Sequence, residues 1–97
     1  MKKLGKIVEV GFGKNKDTEF LYFGLHLKIV CNNDVFTVSR GTWNFNSSDE
    51  FLDYLDDTLI DAKVHYVSEL VDVPVEITVD DRLTDVLLDW RILKEVL

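Results

Sequence analysis

The chain has 97 residues, 46% of them hydrophobic and 11% aromatic, with a single proline. That is enough for one folded domain and leaves no room for a second. The 18 acids against 11 bases give a formal net charge of −7, which excludes bulk neutralisation of duplex DNA phosphates, and the lone cysteine excludes a disulfide framework or a four-thiolate zinc site.

Residues 6–12 alternate as a half-buried strand does. Val8, Val10 and Phe12 share one face, and Ile7, Glu9 and Gly11 the other. Residues 11–17 then read as a polar turn. The clearest strand follows, with Leu21, Phe23, Leu25, Leu27, Ile29 and Cys31 at every second position and Tyr22, Gly24, His26 and Lys28 opposite. Asn32-Asn33-Asp34 signals a tight turn, because Asn and Asp tolerate positive φ. Residues 35–40 make a third strand, completing a meander.

Ser47 is placed to cap a helix, with Glu50 three residues on completing a capping box. Phe51, Leu52, Leu55, Leu59 and Ala62 recur at helical spacing and should face the sheet, while Asp49, Glu50, Asp53, Asp56, Asp57 and Asp61 line the other side. A short helical turn is expected at residues 67–70. Pro74 suits a strand start, and Val73, Val75, Ile77 and Val79 alternate around it. Val86, Leu88, Trp90 and Ile92 alternate with Leu87, Asp89 and Arg91 as a fifth strand.

The expected fold is a single α+β domain over residues 1–97, an antiparallel sheet of about five strands with one helix packed on one face. The helix should cover Phe23, Leu25, Leu27, Val38, Ile77 and Trp90. Tyr22, His26, Lys28, Thr37, Ser39, Glu76, Thr78, Asp89 and Arg91 should then meet solvent or a partner.

The last third of the chain carries Leu70-Val71-Asp72-Val73-Pro74-Val75-Glu76 and, at the end, Arg91-Ile92-Leu93-Lys94-Glu95-Val96-Leu97. These segments resemble the C-terminal part of small uncharacterised proteins encoded in phages and prophages of Gram-positive bacteria. That family usually has Gly where Asp72 stands here. The resemblance implies a phage accessory protein in the bacterial host cytoplasm, and it brings no activity with it.

Catalytic and metal chemistry find little support in the residues. Gly11-Phe12-Gly13-Lys14 lacks the spacing and the following helix of a phosphate loop. His26 and Cys31 fall on opposite faces of one strand, so they cannot share a metal ion. His26 can reach Ser39 or Thr37 across the meander, and Asp89 if the fifth strand is adjacent. A cross-strand polar pair is the simpler reading of that group. The expectation is a protein that is not an enzyme, with no cofactor and no metal.

Two surfaces are candidate sites. The acidic helix face of Asp49, Glu50, Asp53, Asp56, Asp57 and Asp61 faces no lysine or arginine between residues 41 and 62, while residues 1–16 hold five lysines against Glu9. Such polarity steers a basic protein partner, so the leading expectation is non-covalent binding to a host or phage protein, as an anti-defence inhibitor or nucleic-acid mimic. The alternative is a small-ligand site for a nucleotide or signalling molecule, built from Arg40, Trp43, Phe45, Tyr22 and His26. A structural or virion component is the third possibility. Neither membrane insertion nor direct duplex DNA binding is expected, and an exposed edge strand makes a homo-oligomer feasible.

Overall fold

The computed structural model describes residues 1–14 and 23–97. Five strands, β1 (Lys2–Lys14), β2 (Phe23–Cys31), β3 (Asp34–Gly41), β4 (Pro74–Val79) and β5 (Leu87–Ile92), form one antiparallel sheet in the order β3-β2-β1-β4-β5. Among the described residues one α-helix, α1 (Ser48–Ala62), lies between β3 and β4, with single 3-10 turns at Thr42–Asn44, Val67–Leu70 and Lys94–Val96. The α+β class, the meander, the 67–70 turn and the strand start at Pro74 all appear as expected. The expected strand positions Leu21 and Tyr22 lie outside the described residues.

β1 is longer than its alternation suggested: residues 11–14, expected to open a polar turn, continue the strand. Residues 15–17 of that turn lie outside the described residues. β1 also carries the first departure from simple parity. It pairs with β4 along its first part (Lys2↔Thr78 to Lys6↔Pro74) and with β2 along its second (Lys6↔Val30 to Lys14↔Phe23). Between Ile7 and Glu9 the register slips by one residue, so Val8 is the extra residue of a β-bulge. A bulge inverts the alternation that follows it. Ile7 therefore faces the core, fully buried, while Val8 is 37% exposed, the reverse of the expected assignment. Beyond the bulge Val10 and Phe12 do share the inner face, opposite Leu27 and Leu25.

The same device appears in β5. Thr78 pairs with Asp89 but Val79 with Leu87, which leaves Leu88 as the extra residue. Trp90 and Ile92 face inward as expected, yet Leu87 packs on the core while Leu88 and Val86 are exposed. Period-two reasoning is right on one side of each bulge and inverted on the other.

The core is filled by Ile7, Leu25, Leu27, Ile29, Cys31, Phe36, Val38, Leu70, Val75, Ile77, Val79 and Ile92. Gly5 is required at its position by close approach: a Cβ there would collide with Cys31 Sγ and the Val30 carbonyl. Burial raises the Cys31 thiol pKa, against a smaller lowering by Lys3. At Asp72 the chain takes φ 72°, a left-handed conformation that favours glycine, while its N–H donates to the Ile7 carbonyl at 2.7 Å.

α1 begins as its sequence dictates. Ser47 Oγ accepts from the Glu50 N–H at 3.2 Å, and the Glu50 carboxylate reaches back to the Asn46 N–H at 3.0 Å, one residue before the cap. Its inner face is Phe51, Tyr54, Leu55, Thr58, Leu59 and Ala62. Leu52, expected in that stripe, instead stands 58% exposed. Thr58 is buried because its hydroxyl donates to the Tyr54 carbonyl one turn back, at 2.8 Å.

The sheet is curled. Arg40 of β3 and Asp89 to Ile92 of β5 come from opposite sheet edges, yet both line one cleft with Tyr54, Asp57, Thr58 and Asp61 of α1. The helix thus sits over the seam where the two edges approach. A 3-2-1-4-5 order with a helix in the β3–β4 connection is the connectivity of a partly open five-stranded OB-type barrel.

Candidate functional site

The acidic face of α1 concentrates the charge of the molecule. Six of the chain's 18 acids lie on this helix with no base, leaving 12 acids against 11 bases elsewhere. Asp49, Glu50, Asp53, Asp56 and Asp57 are exposed, while Asp61 is half-buried rather than fully on the solvent side. Among the described residues the only ion pair on the face is Asp61 with Lys94 at 3.7 Å, and Glu50 is engaged at the helix start. Four of the lysines of the sheet are neutralised locally instead: Lys2 by Glu76, Lys3 by Asp34, Lys6 by Asp72 and Lys28 by Glu9, at 3.4 to 3.9 Å. The negative field of the helix is therefore left largely uncompensated.

Two aliphatic side chains interrupt that field. Asp49, Asp53, Asp56 and Ile60 fall on one stripe, at i, i+4, i+7 and i+11, and Leu52 flanks it. Leu52 and Ile60 are 58% and 62% exposed, two turns apart, ringed by carboxylates. The spacing of Leu52 with Phe51, Leu55 and Leu59 fits the inner face equally well in the sequence. The signal that separates them is the pair of buried Thr58 and half-buried Tyr54, which rotates the inner stripe away from Leu52.

The proposed ligand residues do not converge. His26 sits on the outer face of β2, where Nδ1 meets Ser39 Oγ at 2.8 Å and Nε2 meets the Gly13 carbonyl at 2.9 Å. A carbonyl only accepts, so Nε2 carries a proton and donates to Gly13, while Nδ1 shares a hydrogen bond with the Ser39 hydroxyl, which can donate or accept. The result is a tie across β1, β2 and β3. Because Gly13 and Ser39 occupy both ring nitrogens, no carboxylate orients this histidine. Asp89 is not beside it, since β1 and β4 separate β2 from β5. His26 borders a cavity of about 480 Å³ on the outer sheet face, with Glu9, Gly11, Lys14, Lys28 and Thr37. A Cβ at Gly11 would meet nothing within 4 Å, so the cavity is open at that point.

Arg40 lies in the seam cleft, of about 270 Å³, and its Nη1 donates to the Ser39 carbonyl at 2.9 Å. In the same cleft Tyr54 has a buried hydroxyl without a hydrogen-bond partner among the described residues, and burial raises its pKa. Trp43 folds back over the Cα of Gly41, where any Cβ would strike its ring. Phe45 packs on Phe51 and Tyr54, with ring centroids 5.8 and 5.4 Å apart. Arg40 and Phe45 therefore meet around Tyr54, whereas His26 belongs to a different surface. Tyr22 lies outside the described residues.

Cys31 points into the core and His26 out of it, and no group of three or more metal-ligating side chains occurs among the described residues. No described helix is long and apolar enough to cross a membrane. No family model, curated protein or solved structure matches this chain.

Proposed function

We propose that the protein acts by binding another protein through the solvent face of α1, with the carboxylates of Asp49, Asp53, Asp56 and Asp57 steering a basic surface and Leu52 and Ile60 docking into it. The observation that carries this reading is the near-complete segregation of net charge onto one helix, around two exposed aliphatic side chains. Charge of one sign accelerates encounter and selects partners, while apolar anchors supply most of the retained affinity. The partner chemistry that fits is a lysine- and arginine-lined groove of the kind that holds nucleic acid. With the resemblance of its C-terminal third, this makes the protein an accessory factor of phage type that occupies such a groove in the host cytoplasm.

The test is affinity capture from a Gram-positive host lysate with the wild-type chain, a D53K/D56K/D57K variant and an L52S/I60S variant. A stoichiometric basic partner held at low salt, released at high salt and lost with both variants is the expected result. Capture unchanged by charge reversal refutes the reading, provided circular dichroism shows the variants folded.

A second reading rests on the cavity beside His26. Its volume suits a small molecule, and its mixed rim of Glu9, Lys14, Lys28 and Thr37 offers donors and acceptors. The corresponding face of OB-type barrels is where such folds bind ligands, which is a fold-level analogy only. Native mass spectrometry of the purified protein with a nucleotide panel, repeated with Gly11→Leu to fill the cavity, tests it. An empty spectrum across the panel removes it.

A further inference from the structure

The sheet has two edges, and their backbone groups can be accounted for one by one. β3 follows a two-residue turn, Asn32–Asn33, in which Asn32 takes φ 56°. Such a turn makes its flanking residues, Cys31 and Asp34, a hydrogen-bonded pair. Phe36, Val38 and Arg40 then also bond to β2, and the N–H and C=O groups of Val35, Thr37, Ser39 and Gly41 point away from the sheet. Two contacts agree with this phase. The Gly41 N–H donates to Asn44 Oδ1 at 2.9 Å, and the Ser39 carbonyl accepts from Arg40. The end of the edge nearest the seam is thus covered by its own side chains. Val35 and Thr37 keep their outward N–H and C=O groups without partners among the described residues, and both side chains are exposed, Val35 to 60%.

Edge strands are ordinarily blunted by Lys, Pro or a bulge. β3 reads Asp-Val-Phe-Thr-Val-Ser-Arg-Gly, has none of the three, and keeps unbroken register with β2 from Gly24↔Gly41 to Cys31↔Asp34. Its sequence is also self-complementary. In an antiparallel pair of two β3 strands centred on Thr37, Thr37 faces its own copy, Val35 faces Ser39, Phe36 faces Val38 and Asp34 faces Arg40. The outward-pointing residues are the hydrogen-bonded pairs of that register. It forms six backbone bonds, two between the Thr37 residues and two in each Val35–Ser39 pair. The Ser39 carbonyl has a second lone pair for this bond. At both ends a carboxylate meets a guanidinium. Arg40 has no ion pair within the described residues of its own chain, and Asp34 has only Lys3 at 3.7 Å, with most of its side chain exposed.

The geometry points to a second copy of this chain as the occupant of the β3 edge, giving a twofold dimer with one continuous ten-stranded sheet. This inference is independent of the acidic helix, whose carboxylates take no part in it. An edge-to-edge contact buries little area, so the dimer forms reversibly and depends on concentration.

Sedimentation velocity on the full chain over a thousandfold concentration range tests it. The wild-type protein should shift from 11.2 kDa to twice that mass. Thr37→Pro removes an outward N–H that β2 does not use, a place where edge strands tolerate proline, and should leave a folded monomer at every concentration. Asp34→Arg should raise the dissociation constant at least tenfold, and D34R/R40D should restore it by exchanging the two charges. A wild-type chain that stays monomeric throughout overturns the proposal. A dimer indifferent to both Thr37→Pro and Asp34→Arg also overturns it, because the contact would then use another surface. Should Thr37→Pro fail to fold, the charge-swap pair decides alone.

Discussion

Replacing Ile7 and Val8 in turn by alanine tests the bulge that organises β1. Ile7 is fully buried and Val8 is 37% exposed. Ile7→Ala removes three carbons from the core, roughly 2.4 kcal/mol at about 0.8 kcal/mol each. The unfilled space adds on the order of 1 kcal/mol, because neighbours in a sheet interior relax only in part. The expected cost is therefore about 3–4 kcal/mol, a large share of the roughly 5–15 kcal/mol that holds a domain together. Val8→Ala removes two carbons that are already partly in water and should cost about 1 kcal/mol or less. Urea melts followed by tryptophan fluorescence measure both, with an unchanged m-value as the check that the end states are the same. If the alternation of residues 6–12 ran without a bulge, the order would reverse. Equal costs, or a greater cost at Val8, would refute the register given to β1.

Two further substitutions probe particular strains. Tyr54→Phe removes a buried hydroxyl that Trp90 and Thr58 approach but that makes no hydrogen bond of good geometry among the described residues, and should stabilise the protein by about 1 kcal/mol near neutral pH. Burial raises the folded pKa of Tyr54 above its unfolded value, so its contribution is full below about pH 10 and is lost as pH rises through the folded value. The phenylalanine variant should flatten that alkaline decline in urea melts taken at rising pH, and a variant less stable than wild type would show the hydroxyl to be bonded. Asp72→Gly relieves a left-handed backbone at φ 72° and should raise stability by about 1 kcal/mol. Its exposed ion pair with Lys6, at 3.7 Å, offsets little of that gain. A fall in melting temperature would mean that the Asp72 side chain does more than the backbone geometry implies.

Much of this architecture is written in local residue patterns. The alternation of Leu25, Leu27, Ile29 and Cys31 has one structural solution, and Ser47 with Glu50 marks the helix start because the orphan N–H groups there need acceptors. The bulges at Val8 and Leu88 left no such mark. In both, an apolar residue directly precedes the extra one, Ile7 before Val8 and Leu87 before Leu88, so either parity offers an apolar inner residue, and pairing with a distant strand decides between them. Leu52 departs from the expected stripe for a related reason: five apolar positions fit a helical stripe, but its centre is set by Tyr54 and Thr58, whose polar groups disguise that they face inward. The acidic face was legible because it needs only spacing and charge. The ligand group was not: the β2–β3 register pairs His26 with Ser39 and Arg40 with Leu25, which puts His26 and Arg40 on opposite faces, and the grouping of Arg40 and Phe45 around Tyr54 depends on how the helix sits over the seam.

The division of β1 between two partners governs how the chain folds. Its second half pairs with β2, the strand that follows it, so hairpin contacts there can form within microseconds. Its first half has no partner until β4 arrives, with Lys6 opposite Pro74, across most of the chain. Closing that long loop costs entropy before any contact across it is gained, and this sets the pace of folding. Because one continuous strand belongs to both halves of the sheet, neither half can open while the other stays whole without breaking β1 at its bulge. Slow amide exchange should therefore be lost from β2 and β4 together, as one cooperative unit hinged on Val8.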